Sequence, residues 1–385
     1  MKRIFYYVSM ICIAVMNVCC GKAPDTSTGG NNPMPSIYVF SNNYHSLSQS
    51  SKPALAIERS TIYEPGDNDY HFSHHPSIAY FKGKFYAIFS NGINGEDEGK
   101  QRVLIATSPD SKEWTWKVLQ DTSMDYVLTP GGLFVANENL MVAYFTRNDY
   151  DYGAYENGRG ESILFARATD DGENWSEPVN LGIAAFPCHC PTRLSSRRLI
   201  FSQNKQVYYT DDPTGLSGWT LAKSAGFTFS NNRPTLCEGS IIETNDSIYV
   251  LYRDTKYGTL LWQESAAATG DYWTSPRKTK FTDNNTKSHF GKLPNGNTYY
   301  VGVPDTLNMG GRTPLMLSIS EDGYNFNKHY TIAKDYYDIK YSDGRWKTGQ
   351  FGYPYSIIQG DTLYVIVSRR KEMIEVIRVP INEIK

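Results

Sequence analysis

The chain has little charge imbalance: 38 Lys and Arg stand against 40 Asp and Glu among 385 residues, a net charge of -2. Without a basic excess it has no electrostatic footprint for nucleic acid, and no such partner is expected. Cysteine is scarce at six, and Cys12, Cys19 and Cys20 sit at the extreme N-terminus. Cys188, Cys190 and Cys237 remain for the body of the protein, enough for one disulfide with a thiol left over. Cys190 and Cys237 open neighbouring repeats and are the pair to watch; burial is the other expected fate. The run FPCHCP sets His189 between two cysteines but has no fourth ligand at a recognisable spacing. No metal or organic cofactor is expected, and His189 reads as structural. A long apolar run is missing too. The opening MKRIFYYVSMICIAVMNVCCGK has a basic start and an apolar centre too short for a membrane span, which reads as a secretory signal.

Aromatic residues are abundant, with 29 Tyr and 7 Trp. Rings are favoured in strands, so packing between sheets accounts for most, and a sugar-stacking groove for a minority. Length alone allows two or three domains, but all-β repeat folds run longer than that prior. Six stretches share one opening phrase: HHPSIAYF from His74, LTPGGLFVA from Leu128, CPTRLSS from Cys190, LCEGSIIE from Leu236, KSHFGKLP from Lys287 and YPYSIIQ from Tyr353. Each leads into a second strand-like run, such as KFYAIFS or SIYVLYR, and usually a third. A period of roughly 45–65 residues is that of a propeller blade with long insertions. The expected fold is all-β, a six-bladed β-propeller over residues 53–385, with its chemistry where the innermost strands converge.

The paired Cys19 and Cys20 resemble a bacterial lipoprotein processing site, with Cys20 the lipidated residue. That resemblance implies a signal peptide over 1–20 and an exported, membrane-anchored protein in the periplasm or on the cell surface. Residues 21–52, rich in Ser, Asn, Pro and Gly, then read as a flexible tether. A monomer is expected.

The turn ATDDGENW, with Asp170, Gly172 and Trp175, resembles the Asp-box of sialidases and related propellers; SPDSKEW and ISEDGYNF are worn versions. Asp-boxes are structural and say little of the reaction. Other segments are similar to sialidases in their chemistry. LCEGSIIETNDSIYVLYRD sets Glu238 and Arg253 where that family has a Glu and an Arg, and Arg312 matches a further Arg. Tyr355 in YPYSIIQ matches the catalytic Tyr, with Tyr353 a competing candidate. The resemblance implies that the arginines grip a sugar carboxylate, the Tyr attacks the anomeric carbon, and the Glu draws off its proton. An acid on a first-blade loop protonates the leaving group, and GINGEDEGKQR offers Glu96, Asp97 and Glu98, of which Asp97 or Glu98 is preferred. The first blade departs from the family: His74 stands where sialidases carry an Arg, so the three-arginine clamp is incomplete.

His74 and His75 lie at the mouth of the first blade, His289 at a comparable place in the fifth, and Arg193 on the third; all four are candidate ligand contacts. The leading function is a lipid-anchored exo-glycoside hydrolase acting on a terminal, acidic sugar of a complex glycan with retention of configuration. A non-catalytic glycan-binding propeller and a uronate-directed polysaccharide lyase are the alternatives. Loops 147–161 and 331–350 carry tyrosines and charges that suit specificity.

Overall fold

The computed structural model describes residues 38–155, 158–226, 234–244, 247–256 and 258–384. The expected signal peptide, Cys20 and the first part of the tether lie outside the described residues. Among the described residues no helix is long and apolar enough to cross a membrane.

Runs of β-branched and aromatic residues bounded by Gly, Asn and Asp turns form strands, and each pairs antiparallel with the next. The result is an all-β propeller. Its first sheet runs Phe72–Phe81, Lys84–Gly92, Arg102–Ser108, Thr115–Gln120, in that spatial order. Second, third and fifth four-stranded meanders open at Tyr126–Asn137, Thr192–Arg193 and His289–Lys292. The sixth sheet comprises Phe351–Gln359, Thr362–Arg369 and Met373–Pro380, completed by Glu58–Tyr63 from the beginning of the domain. That antiparallel pairing closes the ring with hydrogen bonds between its two ends.

The fourth sheet has eight strands. Its centre is the meander Leu236–Glu243, Ile248–Asp254, Leu260–Ala266, Arg277–Thr282. Short edge strands extend it, among them Ser41–Asn42, which pairs in parallel with both Arg277–Thr282 and Asn325–Phe326. Residues 38–52 were expected in the tether, yet they pack on the propeller. Phe40 is fully buried beside Tyr249, Phe281 and Phe326, and its amide donates to Gln263 Oε1 at 2.9 Å. Two buried aromatics, Phe40 and Tyr44, decide against the surrounding Ser and Asn.

Apolar clusters fill the gaps between successive sheets. One joins Ile88 and Ile105 of the first to Leu133 and Ala143 of the second; another joins Ile366 and Ile374 of the sixth to Ile78 and Phe89 of the first. On the outer turns, the Asp-box carboxylate at 169–175 is Asp171, not Asp170. Asp171 Oδ1 accepts the amides of Glu173 at 2.7 Å and Asn174 at 2.8 Å. Asp110 and Asp322 cap their turns in the same way. The cysteines Cys188, Cys190 and Cys237 are buried free thiols, so the disulfide considered above does not form.

Two predictions test this packing. Phe40→Ala should lower unfolding free energy by about 3–5 kcal/mol in urea titrations; an unchanged midpoint would return residues 38–52 to a tether. Burial pushes the Glu264 carboxyl up to about 8, against a usual 4.5. The native state therefore keeps a proton that the unfolded chain has already released. This group's contribution to stability falls as pH rises from about 4.5 to 8. Glu264→Gln should match the wild type near the acid end of that window and exceed it progressively toward the alkaline end. Parallel pH profiles for the two proteins would refute the shift.

Candidate active site

A repeated backbone irregularity builds the site. In the first, fourth and sixth sheets the innermost strand carries one extra residue relative to its partner, between His74 and Ser77, Cys237 and Ser240, and Gly352 and Tyr355. The bulged residues His75, Glu238 and Tyr353 have φ of 54°, 53° and 50°, left-handed values rare outside glycine. Such strain gathers where function requires it. In sequence each precedes Pro or Gly: His75–Pro76, Glu238–Gly239, Tyr353–Pro354. All three side chains are thereby turned out at the N-terminal mouth of their strands.

At that mouth Tyr353 is ringed by cations. Arg253 Nη2 donates to its hydroxyl at 3.2 Å, and Arg253, Arg312 and Lys287 lie 5.7, 5.6 and 5.4 Å from its ring centre. Burial pushes its phenol well above 10, opposed by Arg253 and reinforced by Glu238. Glu238 Oε2 lies 2.5 Å from Arg253 Nε. Arg253 also donates to the Asn285 carbonyl at 2.8 Å, so its fork is largely occupied by the protein. Arg312, itself at a φ of 49°, keeps a buried Nη1 without a partner. Opposite stand His74 and His75, with Glu96 bound to Lys371. Asp97 is paired with Arg159 at 3.0 Å; burial raises its carboxyl pKa, with Arg159 acting against the shift. The buried cations and carboxylates make a polar pocket in which a phenol, two carboxyls and an unpaired guanidinium nitrogen meet. That equipment suits acid–base and nucleophilic chemistry on an anionic or hydroxylated ligand.

A profile of the BNR repeat-like domain matches residues 83–366. The chain belongs to this family. In structure the BNR propeller is similar to Trypanosoma rangeli sialidase in complex with sialic acid, at a TM-score of 0.62 and 13% identity. It is equally similar to the same enzyme with 2,3-difluorosialic acid as a covalent intermediate, again at 0.62 and 13%. Each match covers 86% of this chain and 60% of the sialidase, so the BNR propeller spans well under two thirds of that protein's length. A protein of unknown function from Dyadobacter fermentans matches at 0.61 and 14% identity, over 85% of this chain and all of the other. No curated protein is matched.

Several sequence candidates lie elsewhere in the BNR propeller. Tyr355 is one step past the bulge, so it faces the channel between the innermost strands. Its hydroxyl meets Cys190 Sγ at 3.0 Å, and its ring packs on His189 and His289. Tyr353, not Tyr355, meets Arg253. His289 joins the channel group through Ser356, at 2.8 Å, because Lys287 two residues earlier takes the mouth position in the fifth sheet. Arg193 is spent on the carbonyls of Ala136 and Pro213 and borders a cavity of about 340 Å³ with Tyr355 and Lys292. That cavity includes Glu243 and Lys292, at the C-terminal ends of their strands, away from the mouth. Glu98 caps its own loop by accepting the Gly95 amide at 3.2 Å. His74, His75, Glu238, Arg253 and Arg312 are brought together around Tyr353, with Glu96 beside the histidines and Asp97 one residue further along the same loop. Lys287 and Lys371 were missed: a lone lysine in a turn has no signal, though the opening phrase KSH does place Lys287.

Removing one partner of a buried ion pair strands the other charge. Arg253→Met should cost about 3–5 kcal/mol of stability by urea unfolding, with much of it restored in Arg253→Met/Glu238→Gln. A double variant no more stable than Arg253→Met would show that the pair does not govern the site's stability.

Proposed function

We propose that the protein is a retaining exo-glycoside hydrolase that removes a terminal acidic sugar, with Tyr353 as nucleophile. The observation that carries this reading is the single guanidinium, Arg253, that contacts both the Tyr353 hydroxyl and Glu238. The phenol oxygen attacks the anomeric carbon while Glu238 takes its proton. Burial disfavours a free phenolate, so proton loss and bond formation go together. Asp97, whose carboxyl holds its proton more tightly because it is buried, protonates the departing glycosidic oxygen. Water then attacks the anomeric carbon of the glycosyl–tyrosine, Asp97 takes the water's proton, Glu238 returns its proton to the departing phenol oxygen, and Tyr353 is released with configuration retained. Arg312 Nη1 and Lys287 are the groups left to receive a sugar carboxylate, Arg253 being engaged in positioning. In this reading the long meander of the fourth sheet counts as a blade, giving six. Export and lipid attachment through Cys20 complete it, supported by the N-terminal sequence.

The purified protein is incubated with a panel of acidic and neutral glycans, and products are read by mass. Release of a monosaccharide with the mass of water gained is expected; a product lighter by that water would make it a lyase, and binding without product a glycan-binding module. On the cleaved glycan, Tyr353→Phe should abolish turnover and keep binding, Tyr355→Phe should retain turnover, and Asp97→Asn should lose about 10²–10⁴-fold. The reverse pattern for the two tyrosines would overturn the assignment.

A further inference from the structure

The first sheet brings together three acceptor atoms that the hydrolase reading leaves without a task. Ser90 Oγ donates its hydrogen to the His74 carbonyl at 2.9 Å, so toward His75 Nδ1, also at 2.9 Å, it accepts. Ser368 Oγ donates to the Gly352 carbonyl at 3.3 Å and accepts from His74 Nδ1 at 2.7 Å. With the proton on Nδ1 of both rings, a tautomer these serine contacts accommodate, each Nε2 carries a lone pair. Both Nε2 atoms turn to one oxygen, Glu96 Oε1, 3.4 Å from His75 and 3.9 Å from His74. His74 Nε2 is fully enclosed and has no hydrogen-bond partner. Two imidazole lone pairs and a carboxylate oxygen therefore converge with no hydrogen between them, an arrangement that is repulsive until a cation enters.

We propose that His74 Nε2, His75 Nε2 and Glu96 Oε1 bind one divalent transition-metal ion of the zinc class, with a fourth position open to water or ligand. The three ligand atoms lie within 4.8 Å of one another. Metal bonds of about 2.0–2.1 Å in a tetrahedron separate ligands by roughly 3.3 Å. The His75–Glu96 separation of 3.4 Å already meets that spacing, while the His74–Glu96 separation of 3.9 Å and the His74–His75 separation, within 4.8 Å, shorten as the ion enters. The surroundings match what such a site needs. The Nδ1–H bonds to Ser90 and Ser368 are the outer contacts that fix a ligating imidazole. Lys371 binds the other oxygen, Glu96 Oε2, which leaves Oε1 for the metal. Two cations stand beside the cluster, Lys371 on Glu96 and Lys287 at 5.4 Å from the Tyr353 ring. The same cations oppose a second positive charge, so the site is weaker than a closed structural zinc centre. This departs from the sequence expectation of no metal, and it is independent of the glycan reading.

The whole protein, stripped with chelator and dialysed, is titrated calorimetrically with Zn²⁺, Mn²⁺ and Ca²⁺ as chlorides. One equivalent of Zn²⁺ is expected, with Ca²⁺ failing to bind because two of three ligands are nitrogen. His75→Ala and Glu96→Gln should lose binding, and Ser90→Ala should weaken it about 10–100-fold. Absence of Zn²⁺ binding to the wild type, or binding unchanged in His75→Ala and Glu96→Gln, overturns the proposal. Should those variants not fold, the Co²⁺ spectrum of the wild type decides: tetrahedral visible bands without thiolate charge transfer support the site, and thiolate bands move the ion to the cysteines and sink it. Zinc binding with no glycan cleaved would leave this inference standing while the hydrolase reading fell; cleavage unaffected by chelator with no zinc bound would do the opposite.

Discussion

A single inserted residue at the mouth of the innermost strands governs how this propeller presents its chemistry. Side chains alternate along a strand, so those two apart share a face about 7 Å from one another. At the insertion the chain turns left-handed, and His75, Glu238 and Tyr353 leave that alternation to stand at the rim. Beyond it the alternation resumes, and Ser77, Ser240 and Tyr355 occupy the next register inside. Three sheets repeat the device around one axis, and the residues they expose form the site. The remaining strands hold those backbones still: antiparallel partners on one side, apolar clusters between sheets on the other, and the Glu58–Tyr63 strand that prevents the ring from opening.

The rim concentrates buried charge, most of it in pairs. Glu238 and Arg253, and Glu96 and Lys371, each neutralise one another, while Asp97 accepts a hydrogen bond from Arg159. Arg312 and Lys287 are left as surplus positive charge, Arg312 with a buried nitrogen that has no partner. A buried donor without an acceptor is costly in the empty protein and becomes favourable when an anion arrives. The unpartnered nitrogen of Arg312 is thus a group an anion would satisfy, as the proposed reading requires, although the buried Asp283 carboxyl lies near Arg253 and Arg312.

The repeats were legible because the innermost strands recur with the same opening phrase, and Glu238, Arg253 and Arg312 were legible because their segments are similar to sialidases. Which of Tyr355 and Tyr353 stands at the rim was left open there, for a physical reason. A motif match cannot tell residues two apart on one strand, whereas the bulge sends one to the rim and the other into the channel. The signal was present: His75, Glu238 and Tyr353 all precede Pro or Gly, and Tyr355 does not. His289 and Arg193 were misplaced by the same ambiguity, since an opening phrase fixes the strand but not the depth along it. The closing strand ERSTIY and the packed segment around Phe40 were hidden because short edge strands expose half their residues and show little apolar periodicity.

The resemblance to sialidases sets His74 where that family carries an arginine, and the two side chains differ in kind. An arginine offers only donors and a permanent positive charge; a neutral histidine held by Ser368 on Nδ1 offers a lone pair instead. Where a sugar carboxylate would have met a cation, it now meets an acceptor, and direct contact there is repulsive. The ion proposed at His74, His75 and Glu96 would bring positive charge back to the first sheet. On that proposal the convergence of His74, His75 and Glu96 at the mouth of one sheet has a task of its own.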